Sequence, residues 1–217
     1  MGLVILVRHG ETDWNKAQRV MGASDIGLNR IGRKQIEVAA SMLKGLGIKE
    51  IYTSPYARAK ESALILKRSL GLHVVVNDLL REVGYGVWEG QLFSELKKDE
   101  RYFTYLTDPN FDPGDNIEPI CEVQKRGVHF IQSIFNVDHA GTLLVISHGD
   151  VIRAIISYYM KVPLSVFRRI RVDNGSISGI EIHRQFAEIK GINLTPHIQT
   201  LWLKSFIKLN VKGLIKL

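Results

Sequence analysis

Two segments far apart in the chain share one construction. Val4-Ile5-Leu6-Val7-Arg8-His9-Gly10 and Leu143-Leu144-Val145-Ile146-Ser147-His148-Gly149 each carry a continuous apolar run straight into a His-Gly pair. A run that is apolar at every position cannot be the half-wet strand of an open antiparallel sheet, whose residues alternate in polarity. Both segments therefore read as strands covered on both faces, and between them lie amphipathic stretches long enough to provide the cover. In open α/β sheets, ligands bind just beyond the carboxyl ends of the strands. The two histidines are thus expected at one edge of one sheet, and the glycine after each lets a ligand or backbone come close.

The rest of the chain fits that frame. Leu28–Leu46 repeats Leu28, Ile31, Ala39, Met42, Leu43 and Leu46 near the helical period, and Gly45 and Gly47 close it. A short strand is expected at Glu50–Thr53, a helix at Tyr56–Leu70 stopped by Gly71, and a strand at Leu72–Val76. Residues 77–92 read as irregular, followed by a helix from Phe93 to Leu106 and a polar loop from Thr107 to Gly114. Helices are expected over Glu118–Val137 and Val151–Met160, flanking the strand Thr142–Ser147. After Pro163 the pattern turns to strands at Arg169–Val172, Ser176–Ile182 and Phe186–Lys190. Repeated strand–helix alternation predicts an α/β fold, a three-layer sandwich whose central sheet is mostly parallel with helices on both faces. One domain over residues 1–197 is expected, with about 77–140 forming a cap over the site.

Composition narrows the classes of function. One cysteine, Cys121, excludes an internal disulfide framework and a multi-cysteine zinc site. The first apolar run breaks at Arg8, too early for a signal peptide or a membrane span, so the expected address is cytoplasmic. The formal net charge of +7 is uneven, because residues 198–217 hold Lys204, Lys208, Lys212 and Lys216 and no acid. That extension is basic and amphipathic, with Leu203, Phe206, Ile207, Val211, Leu214 and Ile215 between the lysines. Docking on the domain itself or on a second copy as a homodimer is expected of it, and a membrane is disfavoured. No arginine-rich block or interleaved basic-aromatic stretch stands in the body, so a nucleic-acid partner is not expected.

Arginines converge with the histidines. Arg8 adjoins His9, and Arg58 follows the Ser54-Pro55 turn after the second strand. Guanidinium groups, imidazoles and a helix N-terminus at a strand-end crevice suit a tetrahedral phosphate. No Gly-x-x-x-x-Gly-Lys-Ser/Thr loop exists, which argues against a P-loop kinase or ATPase. Glu11, Asp13 and Asp150 lie near the histidines without a ligand spacing that would join them to a metal, so no metal and no cofactor are expected.

The ordered set Arg8-His9-Gly10-Glu11-Thr12 with Trp14-Asn15 resembles the signature of the histidine phosphatase superfamily, the phosphoglycerate-mutase-like family. Gly22, Asp25, Leu28, Gly32 and Gln35, then Ser54-Pro55 with Arg58-Ala59, extend the resemblance. So do Leu80-Arg81-Glu82 with Gly86-Val87-Trp88-Glu89-Gly90, and Ser147-His148-Gly149. The resemblance implies phosphoryl transfer through a phosphohistidine. His9 would attack phosphorus, Glu82 would serve as acid and then base, and His148 would complete the catalytic set. Arg8, Asn15, Arg58 and Gly149 would bind the substrate phosphate. Arg8, Arg58 and a protonated His148 are expected to keep His9 neutral, while a phosphate dianion is expected to raise the pKa of Glu82. Two departures concern the substrate side. Gly114-Asp115-Asn116 stands where a Gly-Glu-Ser triplet is common, and Ser62 replaces a threonine.

The text around the acid, Glu82-Val83-Gly84-Tyr85-Gly86, resembles the phosphatase branch rather than the Glu-Arg-His-Tyr-Gly stretch of the mutases. The expected activity is hydrolysis of a small phosphomonoester such as α-ribazole phosphate, phosphoserine or a sugar phosphate. The alternatives are a cofactor-dependent phosphoglycerate mutase and a non-catalytic phosphate-binding module. Tyr85, Trp88, Phe93, Tyr102, Phe103 and Tyr105 are available for a cap, although most read as core.

Overall fold

A computed structural model describes residues 2–135 and 141–195. Strand β1 (Gly2–Arg8) is followed by the one-turn helix α1 (Asp13–Lys16) and by α2 (Arg30–Leu43). Strand β2 (Ile48–Thr53), helix α3 (Ala57–Leu70) and strand β3 (Val74–Val76) come next. The middle of the chain forms α4 (Phe93–Leu96), α5 (Glu100–Thr107) and α6 (Ile120–Ile134). Strand β4 (Gly141–Ser147), helix α7 (Gly149–Tyr159), and strands β5 (Ile177–Ile182) and β6 (Ala187–Leu194) complete it. Among the described residues, no helix is long and apolar enough to cross a membrane.

The six strands form one sheet in the order β3-β2-β4-β1-β5-β6. The first four are parallel, while β5 runs antiparallel to both β1 and β6. The sheet is thus mostly parallel, as the apolar runs require. Because side chains alternate faces along a strand, Val4 and Leu6 join one core and Ile5 and Val7 the other. The first core holds α6, α7 and the buried side chains of residues 80–117, and the second holds α2 and α3. Val4, Leu6 and Val7 are completely buried. Each such side chain contributes about 1.5–3 kcal/mol relative to exposure, which is why these runs tolerate no polar residue before Arg8.

Helix boundaries follow local chemistry. Asn29 caps α2 by accepting from Gly32 N at 2.8 Å. Gly71 ends α3 in the left-handed conformation at φ 71°, as a helix stop requires of a residue without a Cβ. The single helix expected from Phe93 to Leu106 is instead two, because Asp99 starts a new one. Its side chain accepts from Arg101 N at 3.0 Å and from Trp88 Nε1 at 2.9 Å. The strand expected at Arg169–Val172 does not form. A 3₁₀ helix covers Leu164–Arg169, and the carbonyl of Val172 accepts from Arg8 Nη1 at 2.8 Å.

Residues 77–117 are not a detached lobe. Leu80, Val83, Tyr85, Trp88, Leu96, Tyr102 and Tyr105 are buried in the same core as Val4, Leu6 and Val145. Trp88 stands edge-on to both Tyr102 and Tyr105. Of the aromatics named above, Phe103 is the exposed one, at 72%. The basic extension at 198–217 lies outside the described residues.

Candidate active site

Parallel pairing of β1 with β4 sets Arg8 opposite Ser147. The next residue on each strand is a histidine, so the two rings meet at the sheet edge with centroids 5.1 Å apart. The backbone N–H of His9 donates to Ser147 O at 3.0 Å and ties the two strand ends together. Both rings are buried.

Hydrogen bonds assign each tautomer. His9 Nδ1 lies 2.7 Å from Gly10 O. A carbonyl only accepts, so Nδ1 carries the proton and Nε2 keeps its lone pair. Burial holds the His9 pKa well below its ordinary value, with Arg58 and then Arg8 acting in the same direction. The ring is neutral at neutral pH. His148 has the opposite tautomer. Arg58 Nε donates to its Nδ1 at 3.2 Å, and its Nε2 lies 2.7 Å from Ser54 Oγ. A guanidinium cannot accept, so Nδ1 is unprotonated and Nε2 carries the proton. Burial, Arg58 and His9 all lower its pKa. The expected protonated His148 is therefore corrected: the second histidine is neutral here, and the positive charge that keeps His9 unprotonated comes from Arg58 and Arg8.

Arg58 is completely buried. Besides His148, it donates to Ser24 O at 2.8 Å and Gly22 O at 2.7 Å. That loop is held by Glu89, whose carboxylate accepts from Ala23 N at 2.8 Å, Ser24 N at 3.1 Å, Ser24 Oγ at 3.0 Å and Tyr85 N at 3.2 Å. Gly22 sits at φ 50°, and a Cβ there would fall 2.0 Å from Glu89 Oε1, so glycine is required. Arg8 is aligned by Val172 O, yet its buried Nε has no hydrogen-bond partner. Burial and then Arg153 lower its pKa to about 10, which still leaves it charged at neutral pH. A Cβ at position 149 would lie 3.5 Å from Arg8 Nε. It would also lie 3.1 Å from Arg153 Nη1, so Gly149 brings the N-terminus of α7 up against two guanidinium groups, a setting that suits an anion.

Asn15 is aimed by the short helix α1. Thr12 N and Asn174 Nδ2 both donate to Asn15 Oδ1, at 3.1 and 3.2 Å. The amide is thereby oriented with Nδ2 available to donate. Ser62 performs what the departure from threonine left in question: its Oγ accepts from Gly10 N at 3.2 Å and donates to Arg58 O at 2.7 Å.

Glu82 reaches the edge on an irregular segment whose Leu80 carbonyl accepts from Ser147 Oγ at 2.9 Å. Its pKa is raised from 4.5 to about 7, by burial first and by Asp150 second, against the opposing pull of Arg58 and Arg8. The protein alone raises it, without the phosphate dianion invoked from the sequence. Asp150 itself remains ionised. Arg153 Nη1 donates to it at 2.7 Å and Arg168 Nη2 at 3.1 Å, and the Tyr85 hydroxyl also donates to it.

All seven residues assigned from the sequence, Arg8, His9, Asn15, Arg58, Glu82, His148 and Gly149, sit at this one sheet edge. Sequence reasoning missed Asn174, Glu118, Arg126 and the second role of Asp150. For Asn174 a signal existed, since Asp173-Asn174-Gly175 is turn chemistry. Gly175, at φ 70°, donates to Arg8 O at 3.0 Å. The loop around Gly114-Asp115-Asn116 has positive φ at all three residues, and the carboxylate at the start of α6 is Glu118 instead. Of the carboxylates weighed for a metal, Glu11 accepts from Asn29 Nδ2 at 2.8 Å. Among the described residues, Glu181, His183 and Glu188 are the group close enough together to share a cation. They lie at the opposite end of the sheet, and Lys190 Nζ already bonds both carboxylates, at 2.6 and 2.7 Å.

Comparison with known proteins covers nearly the whole of the described chain. A family model described as "Histidine phosphatase superfamily (branch 1)" matches residues 4–195. "Phosphoserine phosphatase 1" of Hydrogenobacter thermophilus is 29% identical over 204 residues, 93% of this chain and 97% of that protein. A "Probable phosphoglycerate mutase GpmB" of Serratia proteamaculans is 32% identical over 184 residues, covering 84% of this chain and 85% of that one. Among solved structures, Bacillus stearothermophilus YhfR superposes with a TM-score of 0.84 at 26% identity, over 92% of this chain and 100% of that chain.

Proposed function

Because the chain belongs to the histidine phosphatase superfamily, we propose that it hydrolyses a small phosphomonoester through a phosphohistidine on His9, without a metal ion. The observation that carries this reading is the pairing of a neutral His9, its Nε2 lone pair free, with a Glu82 carboxyl whose pKa stands near 7. A nucleophile that needs no deprotonation and an acid poised at neutral pH share the same two arginines, Arg58 and Arg8.

In the first step, His9 Nε2 attacks phosphorus as the P–O bond to the leaving group breaks. The Glu82 carboxyl gives its proton to the departing oxygen, and an alcohol leaves. In the second, a water oxygen attacks phosphorus and the P–N bond breaks. Glu82, now a carboxylate, takes the water's proton, so that inorganic phosphate and neutral His9 are restored. Arg8, Arg58, Asn15 and the N-terminus of α7 neutralise the phosphoryl oxygens, the main task in phosphoryl transfer. His148 keeps Arg58 and Ser54 in register around that group.

The full-length likeness to a protein named as a phosphoserine phosphatase supports hydrolysis of a phosphorylated small metabolite. A mutase activity is the second reading, carried by the 32% identity to a protein named as a probable phosphoglycerate mutase. Phosphate release should be measured over phosphoserine, phosphoglycerates, α-ribazole phosphate, sugar phosphates and p-nitrophenyl phosphate, with and without a chelator. Release unaffected by the chelator is expected. Isomerisation of 3-phosphoglycerate faster than its hydrolysis would favour the mutase, and chelator-sensitive release would overturn the metal-free mechanism.

A further inference from the structure

We propose that Arg126, paired with Glu118, is a positioning residue that holds the Glu82 carboxyl at the leaving-group side of the site. This rests on the reading of Glu82 as the acid. Arg126 lies on α6, with its side chain 8% exposed. Its five N–H donors are all placed. Nη1 donates to Leu79 O at 2.8 Å and Arg81 O at 2.6 Å, and Nη2 to Glu82 O at 3.3 Å. Nε and Nη2 make a bidentate pair with the Glu118 carboxylate, at 2.7 and 3.0 Å. Glu118 then returns to the same segment, with Oε2 accepting from Gly84 N at 3.3 Å and its own N–H donating to Gly84 O at 2.7 Å.

Residues 79–83 belong to no strand, so their carbonyls need donors from elsewhere. One guanidinium supplies three of them, and Ser147 Oγ supplies the donor for Leu80. The peptide units on both sides of Glu82 are therefore set by Arg126 of α6, and the unit before them by Ser147 of β4. Only a planar fork can serve three carbonyls and a carboxylate together. An ammonium donates from a single point and cannot reach all of them.

Placement also governs the proton. The charged groups acting on Glu82 are Asp150 of α7, Arg58 of α3 and Arg8 of β1, and burial outweighs each of them. A segment released from the clamp admits water to the carboxyl, and the pKa falls toward the ordinary 4.5.

The test compares Arg126→Lys and Glu118→Gln with Glu82→Gln. Rates are read on an alkyl phosphate and on p-nitrophenyl phosphate, whose leaving group needs little protonation, with folding checked by thermal melts. Arg126→Lys should slow the alkyl phosphate about tenfold or more and p-nitrophenyl phosphate less than about threefold. Its alkaline limb should move to lower pH. Added to Glu82→Gln it should cause no further loss on the alkyl phosphate, since the clamp acts through that carboxyl. Glu118→Gln should shift the same quantities in the same direction and by less. If Arg126→Lys does not fold, Glu118→Gln decides by the same readouts. Equal losses on both substrates, an unmoved pH limb, or a multiplicative loss in the double variant would overturn the positioning role. If Glu82→Gln itself shows no contrast between the substrates, the acid assignment fails first. A contrast in Glu82→Gln that is absent from both clamp variants defeats only the inference.

Discussion

Arg58 Nε donates to Nδ1 of His148 across 3.2 Å, and this one bond fixes the protonation state of the second histidine. A protonated imidazole would present an N–H to a guanidinium N–H, two donors with no acceptor, in a buried place. His148 is therefore held neutral by its partner as well as by burial. The site's positive charge resides on Arg8 and Arg58, which do not titrate near neutral pH.

Replacement of His9 by alanine should abolish turnover. Rapid quenching of the native enzyme with labelled substrate should trap phosphate that is acid-labile and base-stable. Label on native protein that survives acid would exclude a phosphohistidine, and label on the alanine variant would move the nucleophile elsewhere.

The pH profile should be asymmetric. Catalysis by Glu82 as acid requires its protonated form, so the rate on alkyl phosphates should decline as pH rises through about 7. The acidic limb should lie below the ordinary histidine range, since burial and the arginines hold His9 neutral. The linked effect on stability has a definite sign. A carboxyl with a raised pKa binds its proton more tightly in the folded protein, so its stabilising contribution is lost as pH rises from 4.5 toward 7. Glu82→Gln should flatten both the alkaline rate limb and that slope, as measured by kcat and by denaturant melts.

Glu89→Ala should act on binding rather than on proton transfer. Its carboxylate holds the Gly22–Ser24 loop, whose carbonyls align Arg58. Removal leaves several N–H groups unmatched, at a cost of about 1–3 kcal/mol. The expected result is a higher KM and weaker inhibition by inorganic phosphate, to the same degree for alkyl and p-nitrophenyl substrates. A loss confined to alkyl phosphates would make Glu89 the acid instead.

Gly10→Ala should destabilise the fold by about 1–3 kcal/mol, since overpacking of this kind has no flexible neighbour to yield. The added Cβ would lie 2.3 Å from the backbone carbonyl oxygen of Gly32, at the start of α2. Urea melts measure the loss. An unchanged midpoint would mean that the loop and α2 separate easily.

Much of the site was legible because its signals are local. Continuous apolar runs before His9 and His148 require burial on both faces of a strand, and burial on both faces requires a parallel sheet with helices on each side. The His-Gly pairs mark where those strands end, and Arg58 follows the next strand after one turn. Cap chemistry explains the errors. Asp99 breaks what periodicity joined into one helix, and Val172 spends its carbonyl on Arg8 rather than on a ladder.

The order of strands, by contrast, is a long-range matter. Adjacency of β1 and β4 brings two histidines from distant parts of the chain to a 5.1 Å ring separation. The same holds for the groups that act on the reacting side chains. Asp150 raises the pKa of Glu82, Arg126 clasps the segment that carries it, and Asn174 orients Asn15. Each is an ordinary polar residue in the linear sequence, with no period or spacing to mark it. Hydrogen bonds and charges act through distance in space, so strand ends and buried faces could be read from the sequence, whereas tautomers, pKa values and aim were decided only when the sheet closed.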